Sequence, residues 1–195
     1  MKTARKVLMI ALCAVLLVSI SVMGTMAYLT SKDSVTNTFT VGKVGIELDE
    51  ALVDANGKEI TDENAKRVKE NKYKLLPGLD YDKDPTIRVA SDSENCWLFV
   101  KVENGIAAIE SGSIATQMAE QGWTLVDGTT NIYGRAAANK AGDSVKVFEH
   151  FTIKDDVNNT TLATYNGKTI VVTAYAIQAD GCGTADLAWA AYPAA

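Results

Sequence analysis

Residues 96–103, CWLFVKVE, set Leu98, Val100 and Val102 on one side of an extended chain and Phe99, Lys101 and Glu103 on the other. Apolar residues at every second position mark a β-strand with one face on a core and the other in or near water. The same period recurs at Val44, Ile46 and Leu48, which alternate with Gly45, Glu47 and Asp49. It recurs again from Val145 to Lys154, where Val145, Val147, Phe151 and Ile153 form the apolar face and Glu149 breaks it. Residues 169–177, TIVVTAYAI, are apolar or small on both faces, as expected of a central strand. Turn signals separate these runs: Asn56-Gly57 in a hairpin, then Pro77-Gly78, Asp127-Gly128 and Asn166-Gly167. Short strands divided by turns predict an all-β fold, an antiparallel jelly-roll-like β-sandwich.

One or two short helices are expected within it. From Ser113 to Gln121, Ile114 and Met118 stand four apart, with Gly122 as a stop. Thr184 is placed to cap Ala185–Tyr192, which Pro193 closes. Residues 61–72, TDENAKRVKENK, read as a solvated short helix or loop, and Asn158-Asn159-Thr160-Thr161 as a polar turn. No internal repeat or second domain boundary is visible.

The N-terminus belongs to a different class of segment. Lys2, Arg5 and Lys6 precede a run of 17 residues, Val7–Met23, that carries no charge. Thr25 and Ala27 then supply small residues at the −3 and −1 positions before Tyr28. This is the pattern of a secretory signal peptide spanning 1–27. The other reading is an uncleaved membrane anchor, although 17 helical residues reach only about 26 Å against a ~30 Å hydrocarbon core. The leader holds three of the 19 basic residues and none of the 24 acidic ones, so the net charge of −5 becomes −8 over residues 28–195. That acidic balance argues against nucleic acid as a partner, which needs a basic face.

Three stretches carry a resemblance. GTMAYLTSKDSVTNTFTVGKVGIELDE, residues 24–50, has a Gly-Thr-x-Ala exit and an Asn-Thr-Phe-x-x-Gly segment leading into a strand. LLPGLDYDKDPTIRVASDSENCWLFVKVE, residues 75–103, and VVTAYAIQADGCGTADLAWAAY, residues 171–192, add a Leu-Pro-Gly unit and a similar C-terminal close. Together they resemble the TasA/camelysin family of exported Gram-positive proteins. Leu79 departs from the acidic residue common after Pro-Gly, and residues 105–143 match nothing in the pattern. The resemblance implies processing by a SipW-type signal peptidase and secretion to the extracellular matrix or cell surface. It also implies a structural role as a biofilm-matrix fibre subunit whose main partner is itself, with membrane contact only through the uncleaved leader. Fibres of that type join by donor-strand complementation, in which an extended peptide adds its backbone to an open sheet edge. Residues 28–42 offer a donor with Tyr28, Leu29, Val35, Phe39 and Val41 as apolar anchors and no Pro. The same residues can instead form the first strand of their own domain. A monomeric adhesin-like binding module is the alternative function.

Because the camelysin branch is classed with metallopeptidases, catalytic signatures matter. A zinc hydrolase needs three protein ligands and an open position. The chain has one histidine, His150, without an HExxH motif, and its strand parity places it on the solvent face with Lys146, Thr152 and Lys154. No catalytic residue and no cofactor is expected. Asp80, Asp82 and Asp84 alternate in DYDKD and are weak cation candidates against a solvated loop, lacking the Gly and Glu of a calcium-binding EF-hand loop. Asp54, Asn56 and Gly57 read as a hairpin turn rather than a ligand set. Cys96 and Cys182 permit a disulfide after export; two separate thiols, with Cys96 inward, is the other reading.

Overall fold

The computed structural model describes residues 43–192, together with Thr3, Arg5, Lys6 and Met9, which are helical and exposed. The candidate cleavage residues Thr25, Ala27 and Tyr28 and the donor anchors Leu29, Val35, Phe39 and Val41 lie outside the described residues.

The fold is all-β and antiparallel. One four-stranded sheet has the order β2 (Arg67–Val68), β1 (Ile46–Ala51), β4 (Thr86–Val89), β8 (Ser144–Lys146). A second has the order β10 (Ile170–Gln178), β5 (Cys96–Asn104), β7 (Ile132–Arg135), β6 (Trp123–Leu125). A two-stranded ribbon, β3 (Asp80–Asp82) with β9 (His150–Thr152), completes it. Among the described residues 43–192, three short helices follow in chain order: α1 (Ser113–Glu120), α2 (Asn159–Ala163) and α3 (Ala185–Ala191).

The inner faces of both large sheets meet in one core. Ile87 and Val89 of β4 pack with Cys96, Leu98, Val100 and Val102 of β5, and α1 adds Ile114 and Met118, the pair predicted from their spacing. Phe99 departs from its expected place near water. Trp97 and Phe99 lie on the outer face of β5, yet α3 covers them with Ala188 and Trp189, which makes a second core. The Thr184 hydroxyl caps α3 as expected, accepting from Leu187 N.

Four local expectations are changed or settled. The run from Val145 to Lys154 is not one strand: β8 pairs with β4 and β9 with β3. Between them the neighbours Val147 and Phe148 are both fully buried. Of the two readings for residues 61–72, a short helix or a loop, the loop holds, with the two-residue β2 set within it. Asn158 is an N-cap, its side chain accepting from Thr161 N, and the polar turn becomes α2. The fourth concerns β10. Among the described residues it pairs only with β5 rather than lying between two strands.

Candidate functional site: an open sheet edge and its groove

The direction of every β10 backbone group follows from two hydrogen bonds. Gly105 N donates to Thr169 O at 2.9 Å and Ala179 N donates to Asn95 O at 2.8 Å. Antiparallel pairing alternates, so Val171, Thr173, Tyr175 and Ile177 also bond β5. Ile170, Val172, Ala174, Ala176 and Gln178 therefore point their N–H and C=O groups away from the sheet. No described residue takes up those groups. The side chains of Ile170, Val172, Ala174 and Ala176 face the inner core and are half-buried. The edge thus offers a hydrogen-bond ladder and an apolar face together, the two requirements for adding a strand.

Beside this edge lies a groove of about 1040 Å³. Leu48 of β1, Ile170 and Val172 of β10, and Tyr73, Phe151 and Leu162 are among the residues that line it. An aromatic trio stiffens its wall. Tyr81 and Phe151 are direct partners in the β3–β9 ribbon and stack at 5.1 Å and 16°. Tyr73 meets both edge-on, at 5.9 and 5.2 Å. The Tyr81 hydroxyl donates to Lys74 O at 2.8 Å and accepts from Leu76 N at 2.7 Å, which pins residues 74–76 along the rim. Burial pushes the Tyr81 phenol up, and pushes Tyr73 up further with the Glu50 charge adding to it.

Charged residues lock the sheet edge opposite β10. Arg67 of β2 donates from Nε to Asp49 Oδ1 at 2.7 Å and from Nη1 to Asp84 Oδ2 at 2.5 Å. Its Nη2 reaches the carbonyls of Asp49 and Asp84. Arg88 of β4 pairs with the second oxygen of Asp49. Burial alone would raise the Asp49 carboxyl; hydrogen bonds and charge from Arg88 and Arg67 outweigh it and hold it below the ordinary aspartate range. A carboxyl depressed in the folded state stabilises the fold above its ordinary value and ceases to do so as the pH falls through its lowered value. Stability in urea is therefore expected to fall as the pH drops below 3.8, the ordinary aspartate value, and Asp49→Asn to flatten that part of the profile. An unchanged acid limb in Asp49→Asn would remove Asp49 from the explanation.

The predicted cation candidates do not converge. Asp80 and Asp82 lie in a strand, not a solvated loop, and Lys58 binds both, at 3.1 and 3.0 Å. Asp84 is committed to Arg67 and to Ala51 N, at 2.5 and 2.6 Å. Asp82 and Asp84 share a small cavity of about 270 Å³ with Glu59, Glu149 and His150. Among the described residues, no group of three His, Cys, Asp or Glu side chains is arranged to hold a metal. His150 is partly exposed, its Nε2 3.8 Å from Asp80. Asp54 closes the Asn56-Gly57 hairpin by accepting from Asn56 N and Lys58 N, as the turn reading expects.

Cys96 and Cys182 are separate thiols. The Cys96 side chain belongs to the inner core and Cys182 to the outer one, on opposite faces of the β5 sheet, so the disulfide alternative is not formed. Burial pushes the Cys96 thiol up, with the Asp143 charge adding to it.

Nothing in the sequence signals that β10 has a single partner among the described residues, because nine apolar or small residues read alike in a strand with one neighbour or two. Sequence reasoning also missed the Arg67 network. The signal available was an arginine at 67 and another at 88 among a lysine-rich basic complement, since forked, partly buried ion pairs favour arginine. Comparison with family models, with curated proteins and with solved structures returns no match for this chain.

Proposed function

We propose that the chain is an exported, non-enzymatic structural subunit that assembles with copies of itself outside the cell. In this reading a jelly-roll-like domain, released from its leader at Ala27–Tyr28, receives residues 28–42 of another copy along β10. The observation that carries the proposal is the β10 edge: five residues with outward-pointing backbone groups, beside an apolar groove. The family resemblance supports the same direction, including processing by a SipW-type peptidase and a matrix or surface location.

Two variants test it. Deleting residues 28–42 removes the donor. Ala174→Pro removes one outward N–H and introduces a ring on the open side, a substitution that edge strands accept because the lost donor serves no internal pair. Both proteins are expected to remain folded monomers by circular dichroism and sedimentation while the unaltered processed protein forms fibres in electron micrographs. Fibres from either variant, or persistent monomers of the unaltered protein, would sink the proposal.

A second reading rests on a different feature. Trp189 and Tyr192 stack at 5.5 Å and 15°, Tyr175 meets both edge-on, and Leu187 beside them is 61% exposed. An aromatic ledge of this kind suits a monomeric binding module for glycan or protein surfaces. Saturable glycan binding without polymerisation, lost in Trp189→Ala, would favour it. The metallopeptidase alternative has no comparable support, and chelator-sensitive proteolysis abolished by His150→Ala would be needed to revive it.

A further inference from the structure

Glu50 and Lys83, both buried, and the partly buried Asn71 form a trio in the wall of the groove. Lys83 and Glu50 are among the few buried charged residues, 9% and 5% exposed, and they pair through Nζ and Oε2. The other Glu50 oxygen, Oε1, accepts from Asn71 Nδ2 at 2.9 Å. Asn71 Nδ2 also donates to Ala51 O at 2.7 Å, and its Oδ1 accepts from Val53 N at 3.1 Å. The Tyr73 ring lies 6.0 Å from Lys83 Nζ and shields the pair along with its aromatic partners. One carboxylate therefore bridges a buried amine and a side-chain amide. A buried ion pair of this kind is a weak source of stability, since desolvation offsets most of its attraction. Its chemistry is more informative.

We propose that Lys83 and Asn71 become joined by an isopeptide bond, with Glu50 as the catalytic residue that carries a proton between them. Glu50 Oε2 takes a proton from the Lys83 ammonium, leaving a nucleophilic amine. Nζ then forms a bond to Asn71 Cγ, and the Val53 N–H bonds the oxyanion that develops on Oδ1. The Glu50 carboxyl then turns to bring its protonated oxygen to Nδ2 and returns the proton there, the Cγ–Nδ2 bond breaks, and ammonia leaves. The second Nζ proton departs with it as ammonium, so Glu50 ends as it began and no oxidant or other reactant is consumed. Asn71 and Lys83 both line the groove, which gives ammonia an exit. The link would tie the rim segment after β2 to the segment after β3 and hold the aromatic wall in place. It is independent of whether the chain assembles with itself.

Mass spectrometry of the denatured full chain tests it. The expected mass is below the sequence mass by one ammonia, about 17 Da, and tandem spectra contain a branched peptide joining residues 71 and 83, with trypsin unable to cut after Lys83. Asn56-Gly57 and Asn166-Gly167 can also lose ammonia by cyclising, so the position of the loss is part of the result. Asn71→Ala and Glu50→Gln should each abolish the branched peptide. Lys83→Arg keeps the charge opposite Glu50, and with it the fold, but supplies no amine nucleophile; it too should lack the link while retaining native circular dichroism. A full sequence mass in the unaltered protein, a loss confined to the Asn-Gly sites, or a branched peptide that persists in Glu50→Gln would overturn the proposal.

Discussion

Arg67→Ala is expected to cost about 3–5 kcal/mol of folding stability, the usual result of removing one partner from a buried ion-pair network. Arg67 makes four hydrogen bonds, two to carboxylates and two to carbonyls, and its partners Asp49 and Asp84 have side chains only 7% and 14% exposed. Without it, Asp84 keeps a backbone donor at Ala51 but loses its counter-charge. Asp49 retains Arg88, which places the expected loss toward the lower end of the range. Against a typical total of about 5–15 kcal/mol for a domain, such a loss is severe. Arg67→Lys should recover little, because an ammonium cannot span both carboxylates and both carbonyls as the guanidinium fork does. Urea unfolding at pH 7 measures both variants. A loss under about 1 kcal/mol would mean that solvent screens the network as it does a surface pair.

Phe99→Ala is the other large effect expected, about 3–5 kcal/mol for truncating a fully buried aromatic. Phe99 is 0% exposed and its ring lies 4.9 Å from that of Trp189. On its other side a Cβ at Gly134 would come within 2.9 Å of the ring, so the absence of a side chain on β7 makes room for it. The cavity left by alanine would sit under α3, whose Ala188 and Trp189 form the lid of the outer core. Loss of that anchor should release α3 before the main sandwich opens. Equilibrium unfolding gives the free energy, and limited proteolysis should cut within residues 179–184 in Phe99→Ala under conditions that spare the unaltered chain. Equal resistance of the two proteins would show that α3 is held by contacts other than Phe99.

Phe99 also illustrates how far strand periodicity reaches. The alternation in residues 96–103 correctly assigns Leu98, Val100 and Val102 to the core, because side-chain direction along a strand is a local property. It assigns Phe99 to the watery side, since nothing within those residues announces a helix arriving from 185–191. Ile114 with Met118, and Thr184 before Leu187, were legible for the same reason that Leu98 was: spacing and capping act within one or two turns. The break at Val147–Glu149 had a trace in the sequence, where Glu149 interrupts the apolar face, but the two different partners of β8 and β9 had none.

Local chemistry alone thus determines that this chain is an antiparallel β protein with a helix near 113 stopped at Gly122 and one near 185 capped by Thr184, and that Asn56-Gly57 turns a hairpin. Period, cap and turn preferences are paid for by neighbouring residues and need no distant contact. Strand neighbours are another matter, because pairing joins residues far apart in the chain and leaves no mark on either strand by itself. Only the tertiary structure leaves β10 with one partner among the described residues, brings Arg67 to Asp49 and Asp84, and hangs Lys83 and Asn71 on the two oxygens of Glu50. The candidate assembly edge and the candidate cross-link both arise from that long-range pairing.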